Sequence, residues 1–348
     1  MPHTDALHKG SVNMELAQVK KIGFLTLNNF SLIAFSNAIE VLRIANYLSG
    51  QNIYQWSVIT VDGEPVRCSN GLTITPVSTI ERTGVPDMLF VCGGWDVQDM
   101  VDAATIKLLR QLDKQGVWLG GICTGTYALA KAGLLDGYKC TIHWENMASL
   151  CEEFPNISFL QELFVIDGNR CTCAGGIAPL DLMINIVFAR FGKELVAEIS
   201  DHFMVERARD GKDKQHIPLA ARIGSSHRAL VEVSALMESN IEEPLSLDEL
   251  ARLASLSQRH LQRMFRQALN VTPMNYYLNL RLKRARTLLL QTEMSIMNIT
   301  VACGFQSSCH FSKAYRLLYG YSPSLERRQH GRGELSERLP FKLVANQY

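Results

Sequence analysis

Apolar positions recur along this chain with two different periods, and the change of period divides it. Between residues 20 and 205, short apolar runs alternate with helical stretches. Ile22 to Leu27 is a run of strand type, and Trp56 to Val61 alternates with a period of two. Met88 to Cys92, which leads into Gly93-Gly94, and Val117 to Ile122 are continuous apolar runs. Ser31 to Leu48 sets Ala34, Ala38, Val41, Leu42 and Ala45 at helical spacing, and Ile106 to Leu112 is helical too. Strands apolar throughout, alternating with helices, predict a parallel sheet covered on both faces, an α/β three-layer domain.

From about residue 225 the spacing is helical throughout and the pattern repeats. Ser246-Leu247-Asp248-Glu249-Leu250-Ala251, then Ser257 to Arg266, then Asn270-Val271-Thr272-Pro273 make the first copy. Ser295-Ile296, Gly304-Phe305, Ser307, Phe311-Ser312-Lys313, Tyr315-Arg316 and Gly320-Tyr321-Ser322-Pro323 make the second. Leu261, Phe265, Asn270 and Pro273 map onto Phe311, Tyr315, Gly320 and Pro323 at a constant offset of 50. Each copy predicts a short capped helix, a tight turn and a longer helix, so the region is an all-α double helix-turn-helix domain. Ser257 and Ser307 fall at the caps of the longer helices. Leu261, Phe265 and Leu269 form one apolar stripe, and Phe311, Tyr315 and Leu318 the other.

Opposite those stripes lie Gln258, Arg259, Gln262, Arg263 and Arg266 in the first copy. Ser308, Cys309, Ser312, Lys313 and Arg316 hold the same face in the second. Arg and Gln pair bidentately with guanine and adenine edges in a major groove, so these ten residues are the candidate readers of double-stranded DNA. Between the copies, Met274 to Leu290 predicts one helix with a basic run, Arg281, Lys283, Arg284 and Arg286. A rigid helix there suits two heads set roughly 34 Å apart, one duplex turn. The module from about 225 to 328 resembles the AraC/XylS family of bacterial transcription regulators, with Asn270 where that family usually has Gly. Asn tolerates the same left-handed conformation.

Charge sharpens the division. The 348 residues carry a net charge of +1, but residues 1–215 hold 18 Lys+Arg against 24 Asp+Glu. Residues 216–330 hold 14 against 8, and 331–348 hold 3 against 2. A basic block at one end suits phosphate contacts there and a different task elsewhere. Residues 1–19 are polar, read as disordered, and carry no secretory pattern. Residues 206–224 read as an exposed linker and 329–348 as a loose tail. No apolar run approaches the roughly 20 residues that span a membrane. The nine cysteines lack framework spacing, as expected of reduced thiols in a cytoplasm. Cys171 and Cys173 are too close for a zinc pair of the usual spacing and read as strand residues. Neither a metal nor a cofactor is expected.

The chemistry of the first domain concentrates at Gly120-Gly121-Ile122-Cys123-Thr124-Gly125-Thr126. An apolar strand runs straight into a helix with small residues on both sides of Cys123, as a nucleophile elbow demands. The helix would direct its N-terminal amides at the thiol and lower its pKa. His143 follows 20 residues on, and Glu40 offers a carboxylate. Two readings stand side by side. In one, Cys123 is a nucleophile and His143 its base, in a cysteine-dependent amidase or hydrolase fused to a DNA reader. In the other, the elbow is an inherited pocket floor and the domain senses a ligand without turnover. In such sheets a ligand sits at the carboxyl ends of the strands. There the sequence supplies Asn28, Phe30, Gly94, Trp95, Cys123, Thr124, His143 and Trp144, with Glu40 on the first helix. Trp95 and Trp144 offer aromatic faces to a cation.

Gly121-Ile122-Cys123-Thr124-Gly125, Leu129 to Gly137, Thr141-Ile142-His143-Trp144, Thr172 to Gly176 and Pro179-Leu180-Asp181 resemble the PfpI-type, class I glutamine-amidotransferase-like family. The resemblance covers about residues 20–205. It implies a flavodoxin-like fold and, joined to an AraC-type reader, a former enzyme serving as a sensor. Ala38 to Arg43, Ala45 to Gly50, Asp62-Gly63 and Ser69-Asn70-Gly71 resemble the branch that regulates quaternary-amine catabolism. That resemblance implies glycine betaine, dimethylglycine or carnitine as effector, or an amino acid as in other branches. The class further implies an activator that works with RNA polymerase and a homodimer formed through the first domain.

Overall fold

A computed structural model describes residues 12, 14–76, 79–206, 208–213, 215 and 228–330. The chain divides into two compact units, residues 1–216 and 217–348.

In the first unit, six strands form one sheet in the order β2-β1-β5-β6-β10-β9. They are β1 (Lys21–Thr26), β2 (Gln55–Ile59), β5 (Met88–Cys92), β6 (Trp118–Ile122), β9 (Phe164–Asp167) and β10 (Arg170–Cys173). All neighbours run parallel except β10 and β9. β5 and β6 are buried at every position, the signature of central parallel strands. Outside this sheet, β3 (Val66–Arg67) pairs antiparallel with β4 (Thr73–Ile74), and β7 (Lys139–Cys140) pairs parallel with β8 (Ser158–Phe159).

Helices cover both faces. α1 (Leu32–Ser49) is followed by α2 (Ile80–Thr83), α3 (Val97–Met100), α4 (Ala103–Lys114), α5 (Thr126–Lys131), α6 (Trp144–Glu153) and α7 (Ala178–His202). One core joins Phe24, Phe90, Ala38 and Leu42 to Leu182 and Ile186, so α1 and α7 share a face. The other joins Leu89, Val91 and Leu119 to Leu109, Leu129 and Leu150, from α4, α5 and α6. Two apolar faces on one sheet give the three-layer architecture that the alternating pattern predicts.

Two expectations fail at the edges of this unit. Leu16 and Val19 are buried in the core beneath α1, so the polar start is ordered there; residues 1–11 lie outside the described residues. The second concerns the residues read as an exposed linker. Both Asp181 carboxylate oxygens receive Arg209: its backbone N–H at 2.8 Å, its Nε at 3.0 Å and its Nη2 at 2.6 Å. Leu163 donates its N–H to the carbonyls of Gly211 and Asp213. The Gln215 amide reaches Thr141 Oγ1 and the Ile142 carbonyl at 2.8 Å and the Glu162 carbonyl at 2.9 Å. These residues form a strap packed on the first unit. Residues 216–224 lie outside the described residues.

The second unit is helical: α8 (Arg228–Ser239), α9 (Leu247–Leu253), α10 (Gln258–Leu269), α11 (Pro273–Gln291), α12 (Ile296–Ala302), α13 (Ser308–Tyr319) and α14 (Pro323–His330). Leu230, Val233, Leu250, Leu261, Phe265 and Tyr277 form the core of the first head. Leu282, Leu288, Ile299, Phe305, Phe311 and Tyr315 form that of the second. The tail from 331 lies outside the described residues. Among the described residues no helix is long and apolar enough to cross a membrane.

Candidate ligand pocket and DNA-reading helices

The elbow has the backbone its sequence requires. Cys123 sits at φ 60°, in the left-handed region, directly after β6. A Cβ on Gly121 would fall 2.4 Å from the Thr126 nitrogen, and one on Gly125 would fall 1.9 Å from the Val91 carbonyl oxygen. Both flanking glycines are therefore demanded by close backbone approach, as the turn chemistry predicts.

Burial works against activation of the thiol. Cys123 is 7 % exposed. Burial pushes its pKa up to about 12, against the opposing hydrogen bond from the Thr124 amide, and the Glu145 carboxylate adds to the rise. The expectation of a lowered pKa fails because desolvation outweighs the amides of α5, a helix of six residues. His143 is brought beside Cys123. A Cβ built on Gly175 would lie 2.8 Å from Cys123 Sγ and 2.6 Å from His143 Cδ2, so one backbone position touches both side chains. The Glu145 N–H donates to His143 Nδ1 at 3.4 Å, and a Glu145 carboxylate oxygen stands 3.8 Å from the same nitrogen. Burial pushes the imidazole pKa down, with Glu145 opposing. Glu145 is thus the carboxylate beside the histidine. Its position two residues on, in the first turn of α6, was the available signal.

Glu40 has a different partner, binding Arg43 Nε at 2.8 Å and Nη2 at 2.6 Å. Asn28 receives the Arg67 N–H at 3.2 Å and so holds β3. Phe30 is fully buried and packs edge-on against Phe35 with ring centroids 5.3 Å apart. Thr124 is buried and donates to the Gly94 carbonyl at 2.7 Å. Of these, Thr124 with Gly94 frames the turn that carries Cys123. Trp95 and Trp144 are exposed, at 66 % and 47 %. A neighbouring cavity of about 390 Å3 lies between Asn37 of α1, Leu180 and Asp181 of α7, and Phe203, Val205 and Arg209 of the strap. Among the described residues no group of three His, Cys, Asp or Glu side chains is placed to hold a metal ion.

In the second unit, the two heads repeat in detail. Ser257 and Ser307 cap α10 and α13, each accepting the N–H three residues on. Ser246 and Glu249 complete a capping box on α9. α10 ends at Asn270 with φ 55° and α13 at Gly320 with φ 86°, so Asn serves the same left-handed cap. Leu261, Phe265, Phe311 and Tyr315 are fully buried. Gln258, Arg259, Gln262, Arg263 and Arg266 are exposed, as are Cys309, Lys313 and Arg316; Ser308 and Ser312 are half-buried. Leu318 departs from the predicted stripe: it is 41 % exposed, and Tyr319 beside it packs against the core instead.

A profile of the DJ-1/PfpI family matches residues 20–189, and one of a helix-turn-helix domain matches residues 250–329. The HTH-type transcriptional regulator GbdR of Pseudomonas aeruginosa (strain UCBPP-PA14) is 45 % identical over 92 % of this chain and 88 % of its own. The regulator CdhR of Pseudomonas aeruginosa is 43 % identical over 87 % and 90 %, and GlxA of Rhizobium meliloti (strain 1021) 38 % over 90 % and 97 %. The chain belongs to the AraC-type helix-turn-helix transcriptional regulators that carry a DJ-1/PfpI domain. The regulator binds DNA, and its basic residues divide into two groups. Lys283 of α11 is exposed, but Arg281 and Arg286 of the same run turn inward. The Arg281 guanidinium donates to the Cys303 and Gly304 carbonyls and lies 4.1 Å from the Phe305 ring centroid. Arg286 Nε binds Glu326 at 2.7 Å. Within the predicted basic run, these two arginines therefore hold the second head of the regulator together.

Proposed function

We propose that the regulator senses a small-molecule effector with a DJ-1/PfpI domain that performs no turnover, and transmits occupancy to its DNA-reading heads. The observation that carries this reading is the burial of Cys123: the elbow backbone is kept, but the thiol is covered, with Gly175 against it, and burial pushes its pKa up. A thiol in that state supplies almost no thiolate near neutral pH, and the thiolate is the nucleophile. Burial of that group favours sensing over the hydrolase reading.

The division that suits this reading is a sensing unit that includes the strap through Gln215, and a reader in the second unit, residues 217–348. The effector site comprises Cys123, His143, Trp95 and Trp144 at the strand ends. The effector class follows the sequence resemblance: a quaternary amine such as glycine betaine, dimethylglycine or carnitine, or an amino acid. Trp95 and Trp144 support it, since exposed indole faces attract such cations. Gln258, Arg259, Gln262, Arg263 and Arg266, with Ser308, Cys309, Ser312, Lys313 and Arg316, meet the duplex. The regulator acts in the cytoplasm as a homodimer through the first domain and activates through RNA polymerase.

Thermal-shift measurements with these amines and arginine test the sensing role. An effector at 100 times its dissociation constant adds about 2.7 kcal/mol of stability. Cys123→Ala is expected to alter the effector response, and neither it nor wild type to hydrolyse amide or ester substrates. Turnover present in wild type and absent in Cys123→Ala would restore the hydrolase.

A further inference from the structure

The two heads share a fold but are closed by different chemistry. In the second, Glu326 of α14 is fully buried. One of its oxygens accepts Arg286 Nε of α11 at 2.7 Å and the Tyr321 hydroxyl at 3.2 Å. The other accepts the hydroxyl of Tyr315, which stands in the recognition helix α13. Burial and the Glu326 charge push the Tyr315 phenol up, so it stays a donor. Arg286 also reaches the Tyr321 hydroxyl at 3.2 Å and lies over the Tyr319 ring, 4.8 Å from its centroid.

The offset of 50 identifies the counterparts in the first head. Arg286 corresponds to Leu236, Tyr315 to Phe265 and Glu326 to Tyr276. There Phe265 and Tyr276 meet edge-on with centroids 5.5 Å apart, and Leu236 packs against the same core. So α10 is held by an apolar contact, which is non-directional and yields to small shifts. α13 is held by a buried carboxylate with charge-assisted bonds on both oxygens, which fix distance and angle. Tyr315 lies between Ser312 and Arg316, so whatever fixes its hydroxyl also fixes where those two side chains point.

We propose that Arg286 and Glu326 are positioning residues for DNA reading: through Tyr315 they set the orientation of the second recognition helix, and so the base preference of that head alone. This rests on α10 and α13 being the reading helices. A buried charge that is removed on one side is costly, but a matched replacement of the whole set by apolar residues need not be. The first head provides that replacement.

The test uses the full-length chain and duplexes it selects from a random-sequence pool. Positions whose base preference is lost in Arg263→Ala belong to the first head, and those lost in Lys313→Ala to the second. The triple variant R286L/Y315F/E326Y copies the first head's residues into the second. It is expected to unfold cooperatively near the wild-type temperature and to keep the first head's preferences. At the second head's positions, discrimination is expected to fall by about tenfold or more, the scale of one good base contact. Should the triple variant not fold, Tyr315→Phe, which removes one hydroxyl, is expected to give the same one-sided loss in weaker form. A folded triple variant with unchanged preferences overturns the proposal. Equal losses at both heads, in either variant, overturn it as well, since that is what general destabilisation produces. If neither single Ala variant loses any base preference, the reading helices themselves are misassigned and the proposal falls with them.

Discussion

Gly175 presses on Cys123: a Cβ at that glycine would stand 2.8 Å from the cysteine sulfur. The thiol is thus covered by backbone from β10's far end as well as by its own sheet, and burial keeps it protonated. Alkylation should report this directly. Among the described cysteines, Cys151 and Cys309 are exposed. Iodoacetamide at pH 8 is expected to modify those two first, with buried Cys123 reacting later or only as the domain opens. Peptide mass spectrometry measures the order. Early modification of Cys123 would show an activated thiol and reopen the hydrolase reading. Gly175→Ala is expected to destabilise the first unit by about 1–3 kcal/mol through overpacking.

The sequence displayed much of this arrangement, and its silences have physical causes. Met88–Cys92 is a strand within the predicted bounds because a central parallel strand must be apolar at every position, a local property. Ser257, Ser307 and the elbow glycines were equally legible, since caps and tight turns are set by residues a few positions apart. Arg286 was not. Its partner Glu326 lies 40 positions on, and a basic residue on a helix looks the same in sequence whether it faces water or a buried carboxylate. The Cys123 thiol was misjudged for a related reason. The helix behind it is local, but the burial that outweighs it comes from elements far along the chain, Gly175 among them.

Asp181 and Arg209 test whether the strap is a fixed part of the first unit. The Asp181 side chain is 4 % exposed and Arg209's is 33 %, so part of the attraction is screened. Asp181→Ala strands no buried charge, because Arg209 can turn to water, and is expected to cost about 1–3 kcal/mol. Hydrogen exchange should then quicken at Arg209, whose N–H Asp181 accepts, and at Leu163, which the strap holds through Gly211. Arg209→Lys keeps the charge but not the fork and should fall between. Exchange unchanged in Asp181→Ala would mean that Gln215 and the backbone bonds suffice.

Arg263 is the clearest single test of the first head. It is exposed on α10, two residues before the buried Phe265, so its loss disturbs no packing. Arg263→Ala is expected to weaken binding to a selected duplex by about 1–3 kcal/mol and to relax preference at one position. Lys283→Ala, on the exposed face of α11, should instead weaken binding to all sequences alike and reduce the salt dependence. Titrations at two salt concentrations separate the two. Arg263→Ala with a lowered salt slope and intact base preference would make it a phosphate contact.

His143 gives the first unit a pH dependence whose sign can be worked out. Burial lowers its folded pKa below the ordinary 6.5, with Glu145 only partly opposing. Above pH 6.5 the imidazole is neutral in both folded and unfolded chains and contributes no slope. As pH falls through 6.5 the unfolded chain takes up a proton that the folded chain refuses, so stability declines. The decline ends once pH passes below the folded value, where both states hold the proton. One such group contributes at most about 1.4 kcal/mol per pH unit. Melting temperatures of wild type and His143→Gln between pH 5 and 8 isolate the effect, because other groups titrate in both. The wild type is expected to lose more stability on acidification, with the two curves parallel above pH 7. A wild-type curve that instead gained on His143→Gln as pH fell would mean that Glu145 dominates and holds His143 as a cation.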